Sequence, residues 1–230
     1  MIRAENRLAA SGGSAAVRIS YRLPCEALRH HVRLYYLFEA DRPHAQFAAA
    51  ELGNLRFDLG ARSSIAFGEE ALRPAHVANL IGVTNAAYRV VLPAGARVFG
   101  ATLLPLGWAT LIGASADQMS DALVDFGAVA GPAAERMSAE LGEAQTFDAL
   151  CAATDRCLIE ALERGAPRRA EIFPSALQNW LLEPAASLDA LVAVVGVSRR
   201  QVDRLAHSYF GGAPRLLQRK QKAVRAALGG

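Results

Sequence analysis

Two hydrophobic periodicities divide this chain of 230 residues. Up to Leu104, short runs rich in Val, Ile, Leu, Tyr and Phe alternate with clusters of Pro, Gly, Asn and Ser, a pattern that predicts β-strands. The predicted strands are Arg18–Leu23, Leu34–Glu39, Asn54–Leu59, Ala75–Thr84, Tyr88–Leu92 and Arg97–Leu104. Pro93-Ala94-Gly95 predicts a hairpin between the last two strands, because proline presets φ and glycine accepts positive φ.

From Gly107 onward the apolar spacing approaches 3.6 residues, the period of an α-helix. The predicted helices are a first one through Trp108 and Ile112, then Ala133–Leu141, Phe147–Glu163 and Phe173–Leu182. The fold class is therefore α+β, with an antiparallel, β-rich amino-terminal domain, trailing helices and an all-α carboxy-terminal domain. The turn-forming stretch Gly165–Arg169 marks the boundary, so we expect domains at 1–165 and 170–230.

The tail, from Ala186 to Ala226, carries the pattern of a helix-turn-helix. Ser187 and Ser198 stand where a side-chain oxygen caps a new helix, and Gly196 stands where a left-handed residue ends the preceding one. On the helix after Ser198, two stripes recur at helical spacing. The apolar stripe holds Val202, Leu205, Ala206 and Tyr209, and the polar stripe holds Arg200, Asp203, Arg204 and His207.

Charge is segregated toward the same end of the chain. Ser198–Arg225 contains eight arginines and lysines and one aspartate, a formal charge of +7, whereas the rest of the chain sums to −4 of the overall +3. A basic module of this kind is expected to neutralise phosphates and release their counterions. The other interpretation of such a segment is a solvated amphipathic helix pair without a ligand.

These residues resemble the DNA-binding domain of the AraC/XylS family of bacterial transcription regulators. The resemblance runs through Ser198-Arg199-Arg200-Gln201, Arg204, Gly211, Pro214, Arg219 and Ala226. It implies that Arg200, Asp203 and Arg204 point into the groove, with Arg199 and Gln201 nearer the DNA backbone. The full set of expected DNA-binding residues is Ser198, Arg199, Arg200, Gln201, Asp203, Arg204, His207, Arg219, Lys220 and Lys222.

Two features depart from the family pattern. The family usually has phenylalanine where Ala206 stands and alanine where Val192 stands, so we expect Tyr209 or Phe210 to fill the gap. Family members also resemble two helix-turn-helix units joined by a long helix, and only the first unit is found here, so we expect either a truncated sequence or a protein that carries only the first half of the reader. Dimerisation would then supply a second half-site.

The β-rich region is similar, more faintly, to sensor domains that precede AraC-type readers. The similar motifs are Tyr35–Glu39, Phe57–Gly60, Val98–Gly100 and Leu104–Gly107. Aromatic residues on the predicted strands are either core or the lining of an effector pocket. The candidate ligand-binding residues are Tyr36, Phe38, Phe57 and Tyr88.

The sequence shows no pattern that indicates metal binding, a cofactor or catalysis. The histidines at 30, 31, 44 and 76 and Cys25 match no metal-ligand spacing, and no nucleophile elbow, P-loop or dinucleotide fingerprint occurs, so we expect no metal, no cofactor and no enzyme. Three widely spaced cysteines and a charged amino terminus favour the cytoplasm. The uncharged stretch Val98–Ala116 is interrupted by glycine and proline, so no membrane span is expected.

The resulting hypothesis is a DNA-binding transcription regulator that responds to a small effector. The alternative is a small-molecule-binding protein whose vestigial helix-turn-helix serves oligomerisation through Trp180, Leu181 and Leu188.

Overall fold

The computed structural model describes residues 17–165, 172–183 and 186–219. Within these ranges it has an α+β fold whose amino-terminal part is rich in antiparallel strands, as predicted. The strands are β1 (Val17–Arg22), β2 (Val32–Ala40), β3 (His44–Ala48), β4 (Asn54–Asp58), β5 (Ser64–Ala66), β6 (Arg73–Pro74), β7 (Ala78–Ile81), β8 (Tyr88–Leu92), β9 (Ala96–Leu103) and β10 (Leu123–Asp125). Each of the six predicted strands overlaps an observed one, while β3, β5, β6 and β10 were not predicted.

The strands form two antiparallel sheets. The first has the order β1-β2-β9-β4-β7-β10, and the second has the order β3-β8-β5-β6. The predicted hairpin at Pro93-Ala94-Gly95 is wrong, because β8 and β9 belong to different sheets. The turn itself forms, with Gly95 at φ +76° and the Ala96 N–H bonded to the Pro93 carbonyl, but it carries the chain from one sheet to the other.

The α-helices come after β9 in the chain. A 3₁₀ turn covers Glu26–Leu28, and a π-helical turn, Trp108–Ile112, replaces the α-helix expected there. The α-helices are α1 (Pro105–Gly107), α2 (Phe126–Ala130), α3 (Pro132–Glu143), α4 (Phe147–Arg164), α5 (Ile172–Leu182), α6 (Leu188–Val195) and α7 (Arg199–Phe210). Residues 214–219 are also helical. The predicted helices at 133–141, 147–163 and 173–182 are thereby confirmed.

Three apolar clusters hold these elements. One lies between the two sheets and includes Ile19, Ile65, Val90 and Val98. A second lies on the other face of the first sheet, where α3 and α4 cover it. The buried residues of the third come from α5, α6 and α7, and Leu217 of the helical segment 214–219 packs against them. The expected boundary at Gly165–Arg169 falls mostly in 166–170, outside the described residues, so the division into two domains stays a prediction.

Strand β4 has polar side chains on its inner face, against the second sheet. Leu55 and Phe57 lie in the helix-covered cluster, and the alternate residues Asn54, Arg56 and Asp58, which the pleat directs toward the second sheet, are also buried. The ring of Tyr36 lies directly against Gly100, and the lack of a side chain on this glycine makes room for the ring beside the polar row. A Cβ built on Gly100 would be 2.1 Å from Tyr36 Cζ.

This contact generates a stability prediction. Gly100→Ala should destabilise the protein by roughly 1–3 kcal/mol, since the Tyr36 ring must move to admit a methyl group. Gly142→Ala, in helix α3 with no heavy atom within 4 Å of the added Cβ, is the matched control and should be neutral or stabilising by up to ~1 kcal/mol. Urea unfolding measures both. Equal effects of the two substitutions would contradict this account of Gly100.

Candidate DNA-binding face and ligand cavity

Local hydrogen bonds form the helix-turn-helix as the sequence predicts. Ser187 caps α6 by accepting the Ala190 N–H, and Gly196 ends that helix in the left-handed conformation, with φ +68°. Ser198 accepts the Gln201 N–H, while the Gln201 side chain accepts the Ser198 N–H, so α7 starts with a complete capping box. The turn between α6 and α7 is thus only three residues long, Gly196-Val197-Ser198.

The apolar stripe of α7 faces the other helices. Val202, Ala206 and Phe210 are buried in the cluster with α5 and α6, and Leu205 and Tyr209 pack against it. Ala206, Tyr209 and Phe210 all belong to this cluster, and which aromatic side chain fills the space beside Ala206 stays a prediction. The tight packing leaves the other side of α7 for solvent.

The polar stripe of α7 is exposed at Arg200, Asp203 and Arg204. In the part of the chain that the structure describes, no carboxylate lies within 4.0 Å of the guanidinium of Arg200 or Arg204. Asp203 instead lies 4.0 Å from the imidazole of His207, one turn along the helix. Arg200 and Arg204 therefore form an exposed ridge, one helical turn apart, and neither has an ion-pair partner among the described residues.

The remaining predicted DNA-binding residues differ in their surroundings. Arg199 is not free, because its Nε donates to Asp189 at 3.1 Å and thereby ties α7 to α6. Gln201 is occupied by the capping box with Ser198. Arg219 is exposed at the end of the helical segment 214–219. Lys220 and Lys222 lie outside the described residues.

The opposite end of α7 is fastened to the β-rich region. The Ala116 N–H donates to the Ser208 carbonyl at 2.6 Å, and the Ser115 and Ser208 hydroxyls are 3.2 Å apart. Gly211, which ends α7 with φ +68°, lies so near Ser120 that an added Cβ would be 3.0 Å from its Oγ. Helix α7 therefore connects the arginine ridge at one end with the β-rich region at the other.

A cavity of about 470 Å³ lies at this junction. The walls of the cavity come from the β-rich region, from α5 and α7, and from the helical segment 214–219. Its apolar lining includes Leu52, Leu103, Trp108, Leu181, Tyr209, Phe210 and Leu217. Arg33, Glu51, Thr84 and Gln178 supply the polar side chains. This volume and mixed lining are typical of sites for small molecules.

Glu51 joins the cavity wall to a polar network between the sheets. Arg56, whose side chain is 4% exposed, donates from Nε to the Tyr36 hydroxyl and from Nη2 to the Tyr88 hydroxyl, both at 3.1 Å. The Tyr88 hydroxyl donates to Glu51 Oε1, which is 3.6 Å from Arg56 Nη2. The buried cation thus has two phenolic oxygens and one carboxylate as partners.

The four aromatic residues predicted to bind a ligand do not share one site. Tyr36 and Tyr88 meet at Arg56, where burial raises the pKa of Tyr36 to about 12. Phe38 packs beside Tyr36 between the sheets, with ring centroids 5.0 Å apart. Phe57 lies on the other face of β4, edge-on to Phe126. None of these four residues is part of the lining of the 470 Å³ cavity.

Sequence reasoning missed Arg33, Glu51 and Arg56. Arg56 sits in an alternating strand whose polar face ordinarily meets water, and Glu51 stands in a loop where solvation is the default. One available signal was the run Asn54, Arg56, Asp58, three polar residues at period two beside an apolar strand face.

The described ranges also contain His, Cys, Asp and Glu side chains, the residue types that ligate metals. No group of three or more His, Cys, Asp and Glu side chains is arranged as metal ligands there. The three cysteines are unpaired. None of the helices in those ranges combines the length and the apolarity needed to cross a bilayer.

Comparisons with known proteins give only distant structural likenesses. No family model and no curated protein matches the chain. The AraC-like transcriptional activator CuxR is 12% identical over 90% of this chain and 86% of its own, with a TM-score of 0.35. Apo-HppE (9% identity, TM-score 0.30) and FeII HppE (14%, 0.33) match 39% and 43% of this chain. The chain covers 51% and 55% of those two proteins, about half their length.

The capping box yields a prediction for the helix-turn-helix. Ser198→Ala should cost about 1 kcal/mol of unfolding free energy, because the Gln201 N–H loses its acceptor. Ser138→Ala is the matched control, since the Ser138 hydroxyl bonds only the Ala134 carbonyl within helix α3. Thermal or urea unfolding measures the difference. A control that costs as much as Ser198→Ala would refute the capping role.

A second prediction concerns pH. Burial raises the pKa of Asp58, against the opposing effects of the Ser63 N–H and Arg56. A carboxyl group with a raised pKa in the folded state favours folding below its unfolded pKa of about 3.9 and loses that contribution as pH rises through the folded value. Asp58→Asn should therefore become more stable relative to wild type as pH rises above 4. A difference in unfolding free energy that is independent of pH would contradict this.

Proposed function

We propose that this chain is a sequence-specific, DNA-binding transcription regulator whose helix α7 enters the major groove. The observation that carries this proposal is the ridge of Arg200 and Arg204, which is exposed and without a carboxylate partner among the described residues. Arginine presents two parallel donors that match guanine O6 and N7 in the major groove. A helix buried along one stripe and basic along the other, directly after a short turn, is the arrangement that recognition helices use.

The remaining basic residues take the supporting role. Arg219, with Lys220 and Lys222, would neutralise phosphates and so set the orientation without reading sequence. Arg199 would act mainly through its bond to Asp189, which fixes the angle between α6 and α7. Ser198 and Gln201 hold the start of α7 and lie where the DNA backbone would pass. This assignment agrees with the AraC/XylS resemblance, which stays part of the proposal.

A small effector is the second element of the proposal. Tyr209 and Phe210 line the cavity, and Tyr209 follows Arg204 by five residues, about 8 Å along a helix axis. A ligand that occupies the cavity would therefore contact the helix that carries the arginines. It would act through different affinities for two positions of α7, since no other difference shifts such an equilibrium.

Partners and location follow from this role. The proposed partners are double-stranded DNA, a small effector and a second copy that supplies another half-site, in the cytoplasm. One observation disfavours oligomerisation through the helix-turn-helix. Trp180 is buried and donates its indole N–H to the Ser187 carbonyl, and Leu188 packs on the same cluster, while Leu181 lines the cavity.

Selection of bound duplexes from a random library, followed by binding titrations at several salt concentrations, tests the proposal. Arg204→Ala should weaken binding to the selected duplex by ~1–3 kcal/mol, because a base contact is lost, and should change binding to scrambled duplexes little. Arg219→Ala should weaken binding to all duplexes alike and lower the slope of log binding constant against log salt concentration by about one unit.

The matched control is Arg89→Ala, since Arg89 is an exposed arginine on strand β8, away from α7. It should bind both kinds of duplex as the wild type does. Absence of any salt-dependent binding to duplex DNA, or equal losses for Arg204→Ala and Arg89→Ala, would refute the proposed function.

A further inference from the structure

The polar groups around the 470 Å³ cavity differ in how far their hydrogen bonds are already used. Gln178 accepts the Leu106 N–H and donates to the His30 carbonyl. The Thr84 hydroxyl accepts the Glu51 N–H at 2.7 Å. Both side chains are thereby committed to the backbone, and they fix the walls of the cavity rather than await a ligand.

Arg33 is not committed in this way. No hydrogen-bond acceptor or carboxylate partner is found for its guanidinium in the described part of the chain. The register of β2 against β9 shifts between Val32 and Leu34, which makes Arg33 the extra residue of a β-bulge. Bulges redirect a side chain from the regular alternation of a strand, and this one places a cation at the wall of the cavity.

Glu51 uses one of its two carboxylate oxygens in hydrogen bonding. Its Oε1 receives the Tyr88 hydroxyl and faces Arg56, whereas Oε2 has no hydrogen-bond partner among the described residues. The carboxylate is 29% exposed, and it is more than 4.0 Å from Arg33, with which it forms no salt bridge. Among the described residues, the cavity lining thus has an exposed cation, Arg33, and a carboxylate oxygen of Glu51 whose hydrogen-bonding capacity is not used.

Resting on the effector response proposed above, we propose that this cavity binds a compact apolar molecule that carries an anionic group for Arg33 and a hydroxyl or amine donor for Glu51. Charge decides the first requirement. Glu51 already faces Arg56, whereas Arg33 has no carboxylate within 4.0 Å among the described residues and therefore favours an anionic group. The apolar lining of Leu52, Leu103, Trp108 and Phe210 selects an aromatic or aliphatic body.

Three related probes separate these requirements. The compound 3-(4-hydroxyphenyl)propionate has both polar groups. Of the other two, 3-phenylpropionate lacks the hydroxyl and 4-ethylphenol lacks the carboxylate. Isothermal titration of the full chain without DNA measures each affinity. The hydroxy acid should bind most tightly, and removal of either group should cost about 10- to 100-fold in Kd, as for hydrogen bonds to charged partners. Equal affinities, or no binding of the hydroxy acid at millimolar concentration, would overturn the inference.

Variants assign the sites. Arg33→Gln should lose about 10-fold or more in affinity for the two acids and leave 4-ethylphenol unchanged, and Arg33→Lys should recover part of the loss. Arg89→Gln, at an exposed strand arginine outside the cavity, is the control and should change nothing. Loss of affinity for all three probes in Arg33→Gln, or for none, would refute the role of Arg33.

Because these titrations contain no DNA, the two proposals fail separately. A chain that binds duplex DNA but discriminates none of the probes loses this inference and keeps the regulator assignment. A chain that binds the hydroxy acid through Arg33 but no duplex keeps the ligand site and loses the DNA-binding function.

Discussion

Helix α7 belongs to two packing surfaces at once, and this double contact fixes both the arginine ridge and one wall of the cavity. Its apolar stripe completes the cluster with α5 and α6, and its last turn is bonded to Ala116 of the β-rich region through the Ser208 carbonyl. A helix is stiff over twelve residues, so movement at one end is transmitted to the other. The arginine ridge and the cavity wall are therefore parts of one rigid element.

A buried cation sets the shape of the region that α7 rests on. The guanidinium of Arg56 costs several kcal/mol to remove from water, and only well-placed partners offset that cost. Here Tyr36, Tyr88 and Glu51 provide them from β2, β8 and the loop before β4. Because those partners come from both sheets, the network fixes how the sheets face each other. Glu51 also belongs to the cavity wall, so a ligand bonded there would be sensed by the same network.

The predictable parts of the structure are those that local chemistry decides. Ser187, Gly196 and Ser198 define the helix ends by contacts within four residues, and the stripe through Val202 and Ala206 follows from helical period alone. The hairpin prediction at Pro93–Gly95 was wrong, since a turn sequence fixes the turn but not the strands that flank it in a sheet.

The cavity was beyond sequence reasoning because its walls come from distant segments. Arg33 reaches it through a bulge, whose position depends on the pairing of β2 with β9. The burial of Arg56 likewise depends on the second sheet covering a strand face that its alternation assigns to water. Phe57 and Tyr88 look alike in sequence, as aromatic residues on strands, but Phe57 lies on a strand of the first sheet in the helix-covered cluster, whereas Tyr88 lies on a strand of the second sheet in the cluster between the sheets.

Photo-crosslinking can establish whether the exposed stripe of α7 contacts DNA. A photo-crosslinking amino acid in place of Asp203, which is exposed between the two arginines, should attach to the selected duplex on illumination. The same amino acid in place of Arg89, on the β-rich region, should not. Equal crosslinking of the bound duplex from both positions, or crosslinking from position 89 alone, would contradict the proposed contact between α7 and DNA.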